Sequence, residues 1–177
     1  NTLLIAEPFM KDPNFMRTVV YLCRHSDEGS FGFVLNKRFE HNLDELIHGF
    51  EGSRIPVYTG GPVQPDMVHY IHQYPDLIPG SFRIADDIYW GGEFEVLKRL
   101  IQTQQVDMSK IKFFIGYSGW ESGQLDFEMQ ENSWLTAPAT RKLVFDVSAD
   151  EVWKQSIEHL GSEYKIMANF PIDPQLN

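Results

Sequence analysis

The chain is short of several things at once, and each shortage removes a class of function. It has a single cysteine, Cys23, so no intramolecular disulfide framework can form, which suits a reducing compartment. Basic residues are scarce: 15 Lys and Arg face 25 Asp and Glu, a formal net charge of −10. A surface that tracks nucleic-acid phosphates needs a basic footprint, so direct nucleic-acid binding is not expected. The same sign of charge disfavours docking on anionic lipid and favours solubility. Long apolar runs are missing too. Val19–Cys23 is the longest, far below the roughly 20 residues of a membrane helix. The start shows no basic, apolar and small-residue succession of a secretion signal, although it opens on Asn1 rather than Met. A cytoplasmic location, without membrane contact, is the expectation.

What is present is an aromatic-rich sequence of 177 residues, a length suited to one domain over 1–177 with a core of its own. Leu3–Glu7 is a short apolar run closed by Pro8. Thr18–His25 and Ser30–Asn36 are β-branched and aromatic, and Asp27-Glu28-Gly29 between them predicts a hairpin. Gly32 inside the second run points to a bulge or a close backbone approach. Pro56–Thr59, Met67–His72, Phe82–Ile84, Lys112–Tyr117 and Ser133–Ala137 complete the expected strands.

Helical signals come from different spacings. Asn42 precedes Leu43–His48 with Glu45 placed for a capping box and Gly49 as a stop. In Glu93–Gln104, Phe94, Leu97 and Ile101 recur on one helical face. Leu125, Phe127 and Met129 alternate as in a strand, yet Leu125 and Met129 also stack at i,i+4, and the good helix formers around them favour a helix. Ser148 and Glu151 predict another capping box, with Trp153, Ile157 and Leu160 as a buried stripe ended by Gly161. From Tyr164 on, Pro171 and Pro174 suggest an extended tail. Hairpin-like strands with helices interspersed later indicate an α+β fold with a mainly antiparallel sheet.

The block Ile111–Leu135 is the most distinctive segment: an apolar run, Gly116-Tyr117-Ser118-Gly119-Trp120 expected as a turn, then Gly123-Gln124-Leu125, then Glu131-Asn132-Ser133-Trp134-Leu135. It resembles the signature of the AlgH/YqgE-like bacterial family. Glu7-Pro8, Asp12-Pro13-Asn14-Phe15 and Arg17-Thr18-Val19-Val20 are similar to the family's opening. Gly29, Gly32, Leu35-Asn36 and Gly60-Gly61-Pro62-Val63 follow in the family's order, as do Trp153, Leu160-Gly161, Tyr164, Pro171, Pro174 and Leu176-Asn177. Arg38 departs from it, standing where relatives often have Pro. The resemblance implies a branched sheet curled into a pseudo-barrel with helices packed outside. It names no reaction; some relatives have been proposed as transcriptional regulators of exopolysaccharide synthesis.

Each candidate for chemistry has a plain competitor. Ser118 lies between a predicted strand and helix, as in a G-x-S-x-G elbow, but the second Gly comes one place early and Trp120 occupies its position. Relatives commonly carry Ala there, so a turn or helix-entry serine is the preferred reading. His69 and His72 are three apart on a strand and face opposite sides, and Cys23 with His25 makes only two ligands, so no metal is assigned. Asp86-Asp87, Asp126 and Glu128 are expected to be solvated acids. Gly60-Gly61 can form an anion nest but lacks the Lys and Ser/Thr of a P-loop, which favours a tight turn. Trp120, Gln124, Asn132 and Trp134 can line a small-ligand pocket. The preferred alternative has both tryptophans in the core and Asn132 closing a helix.

The candidate ligand-binding set is therefore Asn36, Gly60, Gly61, Trp120, Gln124 and Asn132, with no catalytic residue, metal or cofactor assigned. The leading expectation is a non-enzymatic regulatory or protein-binding module acting through an unidentified protein partner. The alternative is a small-ligand-binding protein or a hydrolase using the Asn36, Gly60-Gly61 and Trp120–Gln124 surfaces.

Overall fold

A computed structural model describes residues 1–172. In chain order the elements are β1 (Thr2–Ala6), β2 (Val19–Ser26), β3 (Gly29–Val34), β4 (Arg38–Asn42), α1 (Leu43–Leu46), β5 (Pro56–Thr59), β6 (Val63–His72), β7 (Phe82–Arg83) and β8 (Tyr89–Trp90). Next come α2 (Phe94–Gln102), β9 (Ile111–Glu121), α3 (Gln124–Gln130), β10 (Trp134–Pro138), a π-helical turn at Lys142–Asp146, α4 (Ala149–Glu158) and α5 (Ser162–Met167). The strands form one sheet in the order β10-β1-β2-β3-β9-β6-β8-β7. It branches: β5 pairs with both β4 and β9, and β5–β9 is the single parallel contact among the described residues. This is an α+β fold in which a mainly antiparallel, branched sheet curls into a half-barrel with helices outside.

Period-2 alternation decides which face each side chain takes. Leu3 and Ile5 of β1 enter the same core as Val19, Tyr21, Phe33, Phe114 and the Trp153 and Ile157 stripe of α4. Their neighbours Leu4, Ala6, Val20 and Val34 point the other way, into a cluster with Trp120, Leu125 and Trp134. A third cluster joins Leu43, Val57, Tyr70, Phe113 and Ile115 to Leu97 and Leu100 of α2. Full burial of one such side chain contributes about 1.5–3 kcal/mol, so β1, β2 and β3 each stabilise two cores at once.

β9 is the strand on which the branch turns. Its first half pairs with β5 on one side (Val57↔Phe113) and β6 on the other (His69↔Phe114). Its second half pairs with β3 (Gly32↔Ser118, Gly29↔Glu121). The link from β5 to β6 must therefore cross β9, and Gly60-Gly61 makes the crossing. Gly60 N–H donates to Ile115 O at 2.9 Å, and Gly60 O accepts from Val34 N–H at 2.8 Å. A Cβ on Gly61 would lie 2.2 Å from the Tyr117 carbonyl, and its φ of +156° is one that side chains rarely adopt.

Several expectations need correction. Ser118-Gly119-Trp120 is strand, not turn: Ser118 is fully buried and its hydroxyl donates to Gly60 O at 2.9 Å. The Arg38 segment, for which no element was expected, is a strand, β4, held as Arg38 donates to Val57 O at 2.6 Å. Ser148 gives no side-chain cap to α4; Ser148 O instead accepts from Glu151 and Val152 N–H. The stretch from Tyr164 is helical to Met167, held by packing of Tyr164 and Ala168 on the main core, and Pro174 lies outside the described residues. The π-turn leaves Val144 O to the Nζ of buried Lys112, 3.2 Å away and 4.2 Å above the Tyr58 ring. Burial lowers that ammonium's pKa to about 8.

Gly61→Ala is expected to destabilise the protein by about 3 kcal/mol or more, through overlap plus backbone strain. Gly52→Ala, where an added Cβ meets nothing within 4 Å, should cost only about 1 kcal/mol. Urea midpoints compare the two; an unchanged midpoint for Gly61→Ala would contradict the crossing.

Candidate functional site

The candidate set does not assemble into one site. Asn36 serves the backbone: its Oδ1 accepts from Val19 N–H at 2.9 Å and its Nδ2 donates to Arg17 O at 2.8 Å. Gly60 and Gly61 are buried in the crossing. Asn132 is exposed in the left-handed region (φ 55°) just after α3, a conformation Asn tolerates better than most residues. Its N–H donates to Met129 O at 3.1 Å. Trp120 and Gln124 do share a place, at the margin of a cavity.

That cavity, about 980 Å³ and open to solvent, lies against β3, β6, β8 and the end of β9. Its wall is aromatic: Phe31, Phe33, His69, Trp90 and Tyr117. The rings are 4.9 Å (Phe31–Trp90), 5.4 Å (Phe33–His69) and 5.9 Å (His69–Tyr117) apart by centroid. Phe31 and Phe33 share a face because they are two apart in β3; β6 and β8 bring His69 and Trp90 beside them. Arg24, Glu28 and Glu121 stand at the lining's charged positions, with Arg24 and Glu28 paired at 3.4 Å.

His69 Nε2 is buried among these rings with no hydrogen-bond partner. Desolvation lowers the imidazole's pKa, so the ring is neutral at pH 7. His72, on the opposite face, is fully buried. Its Nδ1 accepts from Tyr74 N–H at 3.0 Å, which leaves the proton on Nε2, and Nε2 donates to Gly91 O at 2.9 Å. Burial lowers this pKa as well, against a smaller opposing effect of the Gly91 hydrogen bond. Among the described residues, no group of three His, Cys, Asp or Glu side chains is placed to hold a metal ion. Cys23 is buried, and desolvation pushes its thiol pKa up.

Glu128, expected as a solvated acid, is half-buried and connects both tryptophans. Its Oε2 accepts from Trp120 Nε1 at 2.9 Å and from Trp134 Nε1 at 2.8 Å. Its Oε1 accepts from Gln124 Nε2 at 3.1 Å, while Gln124 Oε1 accepts from Glu121 N–H at 3.0 Å. The carboxylate thus fixes the end of β9 to α3 and sets the Trp120 edge of the cavity. Its position four residues after Gln124 on a predicted helix was the available signal.

Residues 3–165 match the AlgH-like family. The chain belongs to that family. A UPF0301 protein of Chlorobium limicola is 45% identical over 175 residues, covering 99% of this chain and 94% of its own. One from Parabacteroides distasonis is 42% identical over 178 residues, covering 99% and 90%. The solution structure of the AlgH protein from Pseudomonas aeruginosa superposes with a TM-score of 0.77 at 30% identity, covering 96% of this chain and 93% of that one. A crystal structure of a Corynebacterium diphtheriae protein, TM-score 0.78 over 96% and 91% of the two chains, is only 21% identical and shows the shared fold. Among the described residues, no helix of this family member is long and apolar enough to cross a membrane.

Two outcomes follow from the site. Glu128→Ala should cost about 2–4 kcal/mol, since it leaves two indole N–H groups without their acceptor. Gln124→Ala should cost under about 1 kcal/mol; denaturation followed by tryptophan fluorescence separates them, and equal losses would contradict the network. The second outcome concerns pH. Both His69 and His72 have folded pKa values below the ordinary 6.5, so below that pH the unfolded chain binds protons that the fold refuses. Their share of stability is fully present above about pH 6.5 and falls as pH drops through it. The melting temperature should decline between pH 7.5 and 5.5, and His69→Phe should flatten that decline; an identical slope in the variant would contradict neutral burial.

Proposed function

We propose that this AlgH-like chain is a binding module whose working surface is the aromatic cavity beside β9. The observation that carries the reading is the cavity itself: five ring-bearing residues from four strands converge on an open volume of about 980 Å³. Packed cores leave few voids larger than a water molecule. A concave, mostly apolar site with a few polar groups at its margin is the usual form of a binding site. Met67, 48% exposed, adds an adaptable apolar side chain to the lining. The occupant we favour is a protein partner, in a cytoplasmic setting that the lone buried Cys23 supports. Any part in transcription would run through such a partner, because a net charge of −10 opposes contact with nucleic-acid phosphates.

One observation favours a second reading. Ser30, in the cavity lining, has its Oγ 2.6 Å from His25 Nδ1, and His25 Nε2 is 3.5 Å from Asp126 Oδ1. A serine, a base and an orienting acid in series are the parts of an acyl-transfer site. Ser30 Oγ would attack an ester carbonyl while its proton passes to His25. The alcohol would leave with that proton, and water would then release the acid. Against it, the His25 and Asp126 side chains are 46% and 64% exposed, so water competes for each contact. Ser30 and His25 also face each other as an ordinary cross-strand pair.

The test combines both readings. Tagged wild-type protein, Met67→Lys and Phe127→Ser are used to capture partners from the native host. Phe127 is exposed on α3, outside the cavity lining. Proteins retained by wild type and Phe127→Ser but lost from Met67→Lys are the expected result; equal recovery on all three would contradict the cavity reading. In parallel, p-nitrophenyl butyrate hydrolysis should be the same for wild type and Ser30→Ala. Saturable turnover abolished by Ser30→Ala would establish the hydrolase instead.

A further inference from the structure

The cavity has one wall made of backbone. β6 borders β9 only as far as Val63, opposite Tyr117. Beyond that point, among the described residues, no strand pairs with this side of β9, while β3 continues to pair with its other side through Glu121. Gly119, Trp120 and Glu121 therefore form a short open edge, and all three line the cavity. An open edge presents main-chain N–H and C=O groups to whatever approaches. The N–H of Glu121 is already taken by Gln124 Oε1 at 3.0 Å. Gly119 is exposed and has no side chain to obstruct an incoming backbone.

Charge narrows the occupant. Arg24 is paired with Glu28, whereas Glu121, at the edge itself, makes no ion pair among the described residues. The chain as a whole carries a net charge of −10. A cationic segment fits this surface and an acidic one does not.

We infer that the occupant is an extended, basic peptide segment of a partner protein, which adds as a short strand beside Gly119–Glu121. One apolar or aromatic side chain packs against the wall formed by Phe31, Trp90 and Tyr117. A Lys or Arg two residues away, on the same face of that strand, meets Glu121. Main-chain hydrogen bonds supply affinity and the aromatic pocket supplies selectivity, since alternate side chains of a strand point to opposite faces. The inference rests on the cavity being a binding surface.

The probe is the blocked peptide acetyl-Lys-Val-Phe-Val-Lys-amide, titrated to millimolar concentration into the ¹⁵N-labelled full chain. Three comparators accompany it: the same peptide N-methylated at the central residue and its successor, the peptide with Glu for both Lys, and 4-methylphenol as an isolated ring. The expected result is saturable shifts at Tyr117 and Gly119, with slower hydrogen exchange of the Gly119 amide. N-methylation should weaken binding by about tenfold, for roughly one lost main-chain bond. The Glu peptide should bind at least about threefold more weakly, and Glu121→Gln should narrow that difference. Equal binding of the N-methylated peptide, or of 4-methylphenol with no effect of the peptide on Gly119, would overturn strand addition while leaving a cavity that binds ligands. No shift at the cavity from any of the four compounds would count against the cavity reading as well.

Discussion

Everything in this fold depends on one close approach of backbone to backbone, where Gly60-Gly61 passes over Tyr117-Ser118. β5 must lie parallel to the first half of β9, while β6 lies antiparallel on the opposite side. A chain that connects them has to cross β9 within the few residues between Thr59 and Val63. No side chain fits in the gap: an added Cβ would meet Gly116 O at 2.4 Å from Gly60 and the Tyr117 carbonyl at 2.2 Å from Gly61. The crossing is held by backbone hydrogen bonds to Ile115 and Val34 and by the Ser118 hydroxyl. Ser118 is thus explained by the sheet, with its Oγ donating to a carbonyl and no base beside it.

The same crossing has a consequence for the surface. Because β6 begins only at Val63, the last part of β9 has β3 on one side and nothing from β6 on the other. The irregular register between Val63 and Val68 then swings β6 away and brings His69 and Trp90 around toward Phe31 and Phe33. Branch and cavity are one geometric event. The carboxylate of Glu128 keeps the free end of β9 in place by holding two indoles and Gln124 together. Neutral His69 keeps the wall apolar at pH 7.

Much of the fold was legible because its apolar residues come in runs or at helical spacing. The apolar run Leu3–Glu7, the β-branched and aromatic run Thr18–His25, and the helical spacing of Phe94, Leu97 and Ile101 each fall on an observed element. What misled was punctuation. Gly116 and Gly119 with Ser118 look like turn chemistry, yet they serve a strand that others cross closely. β4 is mostly polar and β8 only two residues long, so neither shows a pattern, and the π-turn at Lys142–Asp146 depends on an acceptor for Lys112 that only the folded chain supplies. The site was less legible still. Trp120 and Gln124 reach the cavity, but Asn36, Gly60, Gly61 and Asn132 hold backbone in place elsewhere. Phe31, His69, Trp90 and Tyr117 meet through topology, which spacing along the chain does not encode. The family resemblance carried the branched half-barrel further than the residues alone did.

Native-state amide exchange tests this account most directly, since it reads each backbone group separately. The crossing predicts that Gly60 N–H and Val34 N–H exchange only through global unfolding, while Gly119 N–H, on the open edge, exchanges orders of magnitude faster in the isolated protein. Rapid exchange at Gly60 and Val34, or protection at Gly119 equal to theirs, would contradict both the crossing and the open wall of the cavity.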